Sequence, residues 1–449
     1  MSDFTHIAAR WPRVAKMARA DYDCVIGRDF TIKPAILQDF SANLLSPVEQ
    51  DLVALVGAVA YADRVVRRRR GKGWTRDIHL SLPVQAHAVW ERPAVQNSLT
   101  DALSYVTGDN WTFRFLSGAK PLTVRQSSLD FKRGSYVVLP FSDGLDSFLQ
   151  WQLLKKEEPD ANILRVHTAS RASNKERNTL IDAFGGSADQ RLAMPISLSV
   201  RDHAEPTYRT RTFLFFLIAA LAAHKFGTKR VVIGENGVGT YGPGMVPFGG
   251  EYPHRTTHPA FTRRLSVFIN RLLESEVVFE HPQQFRTKGQ VLKHAVRLGV
   301  RGWERTHSCT RNARNQLDKL PCGICGGCLL RCTAMHAAGL SDGKYFWDDL
   351  SGMSLDDCRS RRNARVAKPS DIDIARHGIL DMSGFAELGL PTTPKLPFDR
   401  VAWEVVGKAD ASLRAIASDI SQLARDHAEE WEAFKARYTA DGFLNGQQV

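Results

Sequence analysis

The chain has 449 residues, 43% hydrophobic and 24% charged, a globular balance that excludes a disordered or fibrous protein. At roughly 100–200 residues per domain, two or three domains are expected. Lys and Arg total 60 against 48 Asp and Glu, and the net +12 permits a nucleotide or nucleic-acid partner without requiring one. The longest apolar run, Phe213 to Ala223, falls well short of the ~20 residues that span a bilayer. No apolar segment follows Met1-Ser2-Asp3-Phe4. The expectation is a cytoplasmic protein, with no membrane partner.

Thr5 to Ala20 has helical character, and Pro47 to Val66 forms a stronger helix ending in Arg67-Arg68-Arg69-Arg70. Such a run reads as a solvated helix end, with cations near the negative pole of the dipole. Ile78, Leu80, Leu82 and Val84 alternate with polar residues, the period of a half-buried strand. Residues 1–134 are thus expected to form a small α+β domain of unknown role.

From Ser135 the texture changes. Tyr136–Phe141, Ile163–Val166, Ile196–Val200 and Val231–Ile233 read as buried strands. Helices are expected at Phe148–Lys156, from about Asn174, and at Arg211–Lys225. Short apolar strands alternating with helices imply an α/β fold, a doubly wound parallel sheet, over residues 135–340. Ligands of such sheets lie beyond the C-terminal strand ends. Residues 341–449 are expected to be a mostly helical extension, with a Pro-rich linker (Pro391 to Pro397) and a last helix from Ala411 to Tyr438.

Between the first of these strands and its helix stands Ser142-Asp143-Gly144-Leu145-Asp146-Ser147. A loop entering a helix N-terminus offers converging N–H donors and a favourable dipole to phosphate. Gly144 allows close backbone approach, Ser142 and Ser147 offer hydroxyls, and Asp146 can cap the helix or hold Mg²⁺. The plain alternative is a strand-to-helix turn whose Ser and Asp only cap.

Seven cysteines are present, and Cys309, Cys322, Cys325, Cys328 and Cys332 fall within 24 residues. Without an export signal such a cluster reads as a metal site. Cys309, Cys322, Cys325 and Cys328 suit a closed structural Zn²⁺ site. Cys322, Cys325, Cys328 and Cys332 have a ferredoxin-type iron–sulfur spacing. The residues alone leave both open.

The Ser142–Ser147 segment resembles the Ser-Gly-Gly-x-Asp-Ser phosphate loop of the PP-loop ATP pyrophosphatases, with Asp143 where that family has a glycine. Those enzymes cleave ATP between its α and β phosphates to adenylate a substrate. Within them, Cys309, Cys322, Cys325 and Cys328 resemble the C-terminal zinc knot of the QueC-like 7-cyano-7-deazaguanine synthases, which favours zinc. Arg209-Thr210-Arg211-Thr212, Gly234-Glu235-Asn236-Gly237 and Thr287-Lys288-Gly289 also resemble segments of that family, in order. The resemblance covers residues 135–340. With its long flanks and Tyr252–Pro259, which carries His254, Arg255 and His258, the chain resembles the divergent antiphage-defence branch, the QatC type.

The resemblance implies ATP-dependent adenylation of 7-carboxy-7-deazaguanine, then amide or nitrile formation, by a ligase using ATP, Mg²⁺ and Zn²⁺. It implies that Ser142, Asp143, Gly144, Leu145, Asp146 and Ser147 bind ATP, and that Lys288, Arg211 and Asp146 are catalytic. Arg209, Glu235, Asn236 and His258 are implied to bind the 7-deazaguanine substrate. In a defence relative the acceptor amine belongs to ammonia or to a partner protein from the same operon. Two rival readings are a tRNA-modifying sulfurtransferase and a zinc-stabilised, non-catalytic scaffold.

Overall fold

The computed structural model describes residues 4–12, 14–17, 19–33, 45–69, 71, 73–119, 121, 135–142, 144–167, 190–199, 204–246, 251–310, 320–343, 345–358, 366–407 and 412–446. The chain opens with β1 (Thr5–Arg10), β2 (Tyr22–Val25), β3 (Phe30–Ile32), α1 (Pro47–Val65), β4 (Asp77–Val84), α2 (His87–Trp90), α3 (Pro93–Thr107) and β5 (Asn110–Ser117). It continues through β6 (Tyr136–Phe141), α4 (Leu145–Glu157), β7 (Asn162–His167), β8 (Gln190–Leu192), β9 (Ile196–Leu198), α5 (Arg211–Lys225), β10 (Arg230–Val232) and α6 (Gly237–Met245). The last elements are α7 (Pro259–Leu273), β11 (Val278–Glu280), α8 (Lys288–Arg297), α9 (Gly326–Ala337), α10 (Pro369–Leu388), α11 (Leu396–Val406) and α12 (Ser412–Lys435). No described helix is long and apolar enough to cross a membrane.

Two compact units result: residues 1–142, 158–233 and 247–281 form the first, and residues 143–157, 234–246 and 282–449 the second. The first unit is α/β. One sheet has the order β2-β1-β4-β5 and another β11-β10-β6-β7-β8, both parallel throughout. Helices α1 and α5 are apolar on nearly every face, the pattern of a helix enclosed by its domain, and both lie in the shared core with Leu80, Leu82, Val138 and Leu164. In the five-stranded sheet β7 and β8 extend to one side of β6, and β10 and β11 to the other. This reversal is the doubly wound pattern, and it makes the C-terminal ends of β6 and β10 the expected ligand crevice.

Several sequence expectations change here. Thr5–Arg10 is a strand, not a helix, because β1 pairs with both β2 and β4 and buries Ile7 and Ala9. The third strand of the main sheet is Gln190–Leu192; Ile196–Leu198 instead pairs antiparallel with β3. The helix expected from about Asn174 lies outside the described residues. Within 391–397, Leu396 already opens α11, with its proline in the first turn, where the missing N–H costs nothing.

Arg68 is not part of a solvated helix end. Its side chain is only 9% exposed and its guanidinium pairs with Asp109 at 2.8 Å, while its backbone N–H reaches Glu205 at 2.9 Å. Arg76 joins the same network, 2.6 Å from both Asp63 and Asp109. Removing one partner from a buried ionic network costs about 3–5 kcal/mol. Arg68→Gln is therefore expected to lose about that much stability in urea titrations, whereas exposed Arg67→Gln should stay within about 0.5 kcal/mol.

The second unit packs α9, α10 and α12 around Phe346, Trp347, Ile379, Met382, Trp431 and Phe434. A neighbouring cluster joins α6, α10, α11 and α12 through Tyr241, Phe385, Phe398 and Leu423. The extension thus forms one core with the cysteine segment.

Candidate active site

Strand β6 leads through Ser142 and Gly144 into α4; Asp143 and its expected role lie outside the described residues. The Gly144 carbonyl accepts the Ser147 hydroxyl at 3.1 Å and the Phe148 N–H at 3.2 Å, fixing the first turn. Asp146 stands in that turn, and its carboxylate accepts the Lys288 ammonium at 2.7 Å and the Asn236 amide at 2.9 Å. The same amide nitrogen donates to Glu235 at 2.9 Å, and the Asn236 carbonyl oxygen takes the Gly239 N–H at 3.2 Å, capping α6. Four expected site residues from three segments thus meet: Asp146, Glu235, Asn236 and Lys288. Gly234 permits the approach, since a Cβ there would come 2.7 Å from the Gln150 Cβ and 3.0 Å from the Asp146 carbonyl.

Burial, and then the charge of Asp146, push the Glu235 carboxyl up from 4.5 to about 8, with Lys288 opposing. Between those values the folded protein keeps a proton that the unfolded chain has released, so stability falls as pH rises through this window. Glu235→Gln copies the protonated form. It is expected to raise Tm at pH 8 and leave it nearly unchanged at pH 4.5 in thermal unfolding.

Lys288 is the first residue of α8, whose N-cap Thr287 forms a capping box with Gln290. Its side chain is 5% exposed. Both Asp146 oxygens are engaged, an arrangement that suits orienting the lysine better than holding a bare divalent cation. Sequence reasoning missed the groups behind Thr287: Glu430 accepts its hydroxyl at 2.7 Å, and Asp426 accepts the Gln290 amide at 2.7 Å. The T-x-x-Q capping box was a readable local signal; the acids on α12 had none.

In the first unit, Arg209 is 3% exposed, lies 4.7 Å from the Trp74 ring centre and pairs with Glu251 at 3.3 Å. Among the described residues its Nε and Nη1 have no hydrogen-bond partner. Arg211, in contrast, is exposed at the start of α5, 5.5 Å from the Phe215 ring centre. His258 is the N-cap of α7: its Nδ1 accepts the Ala260 N–H at 3.2 Å and lies 3.2 Å from the Tyr105 hydroxyl. Burial and the charge of Arg255 push its ring down to about 3, so it is neutral. Arg255 is buried over Tyr105 and donates to the Tyr252 hydroxyl at 2.8 Å, while His254 is exposed beside Thr256.

The sulfurs of Cys309, Cys322, Cys325 and Cys328 all lie within 4.8 Å of one another. Cys325 caps α9, placing Cys328 in a first turn whose dipole favours thiolate. Gly323 has φ +87° and sits against the Trp347 carbonyl, so the turn between the first two thiols requires glycine. Four thiols this close cannot all ionise without a cation, and four sulfurs around one point are the donor set of a structural zinc site. Cys332 is not in the group: it borders Tyr345, and burial pushes its thiol up to about 12. The fold thus groups Cys309 with Cys322, Cys325 and Cys328, the zinc-type set, rather than the ferredoxin-spaced set that ends in Cys332.

A doubly wound parallel sheet in the first unit, with a Lys–carboxylate pair at a helix N-terminus and a Cys₄ cluster in the second, is the set of parts of a PP-loop-type α/β protein. Residues 178–339 match the family model described as queuosine biosynthesis protein QueC, so the chain is QueC-like. That match includes Arg209, Glu235, Asn236, Lys288 and the four cysteines, and stops short of the 142–147 loop. A 7-cyano-7-deazaguanine synthase of Sulfurovum sp. (strain NBC37-1) is 25% identical over 231 residues, 46% of this chain and 97% of that protein. Another, from Thermoplasma volcanium, is 31% identical over 133 residues, 29% of this chain and 49% of that protein.

Proposed function

We propose that the chain is an ATP-dependent ligase that adenylates the carboxylate of a 7-deazaguanine, releasing pyrophosphate, and then transfers the acyl group to an amine. The observation that carries this reading is the Lys288–Asp146–Asn236–Glu235 constellation, of which Lys288, Asn236 and Glu235 lie in the QueC match. A carboxylate is a poor electrophile, and joining it to AMP provides a stable leaving group. The loop 142–147 binds the β and γ phosphates with its N–H groups and hydroxyls, Mg²⁺ arriving with the nucleotide. Lys288, held by Asp146, neutralises charge growing on the α-phosphate as the pyrophosphate oxygen departs. Arg209 offers its unpartnered N–H groups to an oxoanion, the substrate carboxylate in this reading. Zinc at the four cysteines supplies folding energy and takes no part in the chemistry.

Ammonia as acceptor gives an amide and, with a second ATP, a nitrile; a partner-protein amine gives a conjugate. Sulfur transfer is less well supported. Four cysteines belong to the metal group, and burial pushes the Cys332 and Cys358 thiols up to about 12 and about 11, away from nucleophilic thiolate. The test is AMP formation with and without 7-carboxy-7-deazaguanine, alone and with co-encoded proteins, the product identified by mass. Arg209→Gln is expected to raise KM for the carboxylate substrate at least tenfold, matching the loss of about 1.5–3 kcal/mol for a charged hydrogen bond. Well-folded, zinc-loaded protein that never forms AMP would return the chain to the scaffold reading.

A further inference from the structure

Helix α12 lies outside the family match, yet it reaches the first turn of α8. Asp426 and Glu430 stand one helical turn apart, and so face the same side of α12. Opposite them are Thr287 and Gln290, the two members of the α8 capping box. The Thr287 hydroxyl takes the Gln290 N–H at 3.0 Å and donates to Glu430 at 2.7 Å. The Gln290 side chain takes the Thr287 N–H at 3.0 Å and donates to Asp426 at 2.7 Å, and Gln422 donates to the other Asp426 oxygen at 2.6 Å. Glu430 also accepts the Gly289 N–H. The approach is so close that a Cβ at Gly289 would lie 2.4 Å from the Glu430 carboxylate. Residues on both sides of Lys288 are thus tied to one carboxylate from another part of the chain.

We infer that Glu430 is a positioning residue for Lys288: through Thr287 and Gly289 it fixes the start of α8, and with it the place of the lysine ammonium. An N-cap alone sets where a helix begins relative to its own chain. The two acids set where it begins relative to the body of the unit, which is what a lysine aimed at a phosphate requires. Residues 412–435 are on this account part of the catalytic apparatus. The inference rests on the reading of Lys288 given above, but its geometry is measurable without turnover.

The experiment labels lysines of the full-length protein with acetic anhydride and reads Lys288 against exposed Lys156 by peptide mass spectrometry, beside steady-state AMP kinetics. Glu430→Ala is expected to raise relative Lys288 labelling about fivefold or more as the first turn opens locally. It should lower kcat for AMP about tenfold while changing ATP KM less than about threefold, the split expected of a misplaced group. Glu430→Gln keeps one oxygen that can accept the Thr287 hydroxyl and should recover much of both readouts. Thr287→Val should copy Glu430→Ala, and Thr287→Ser should recover; this pair carries the test if Glu430→Ala fails to fold. Unchanged Lys288 labelling in folded Glu430→Ala or Thr287→Val would overturn the inference, as would Glu430→Gln being as damaging as Glu430→Ala. If the wild type forms no AMP, labelling still decides Glu430 while the proposed reaction falls.

Discussion

Purified protein is expected to carry about one zinc per chain with no visible absorption band, and Cys325→Ser to lose both the metal and the fold around it. The reason is where the thiols sit. Cys322, Cys325 and Cys328 are core residues of the second unit, in the same cluster as Phe346, Trp347, Met382 and Trp431. Losing the ion leaves buried thiols crowded together in that core with nothing to offset their ionisation. Structural zinc contributes about 10–16 kcal/mol in small zinc modules, against a whole-domain stability of about 5–15 kcal/mol. Even part of that sum decides whether the unit folds, so chelation should abolish its cooperative unfolding transition. Cys332→Ser is the control: it lies outside the sulfur group and should keep full zinc. A brown protein with acid-labile sulfide, or zinc lost on Cys332→Ser, would defeat this assignment.

What the sequence made legible was mostly local. Strands β6, β7 and β10 and helix α5 carry their own apolar patterns, and the cysteine spacing declares itself wherever the chain goes. Thr5–Arg10 was misread because its pattern is not strand-like; pairing on both sides decides the matter, with Ile7 opposite Leu80 and Tyr22. Arg68 has the composition of a solvent-facing run, and only the folded chain brings Asp109 and Glu205 to it. Within the site, Asp146, Asn236 and Lys288 were nominated through resemblance, but their hydrogen bonds are properties of the fold. Glu430 was beyond reach: it is separated from Thr287 by 143 residues and sits in an ordinary amphipathic helix. Helices α10 and α11 went unread for a related reason. Their buried residues are few and scattered among exposed polar ones, so packing within the second unit picks them out where no apolar run does.

Replacing Lys288 with Met is expected to lower kcat for AMP formation by about 10²–10³, or about 2.7–4 kcal/mol of transition-state stabilisation, while the protein stays folded. The magnitude follows from the setting. At 5% exposure the ammonium acts in a poorly screened place, and its pairing with Asp146 at 2.7 Å fixes it before any phosphate arrives. Met fills nearly the same volume without charge, so packing at the start of α8 is retained. Asp146 loses one partner but keeps the Asn236 amide and is 21% exposed, enough for water to take the vacated position. Tm should therefore move by only a few degrees. Lys288→Arg is expected to recover little, because a planar fork cannot take up the position of a compact ammonium in so enclosed a site. If Lys288→Met formed AMP at the wild-type rate, the charge on the α-phosphate would have to be met by another cation. The exposed guanidinium of Arg211 would then be the next to test, by the same substitution and the same assay.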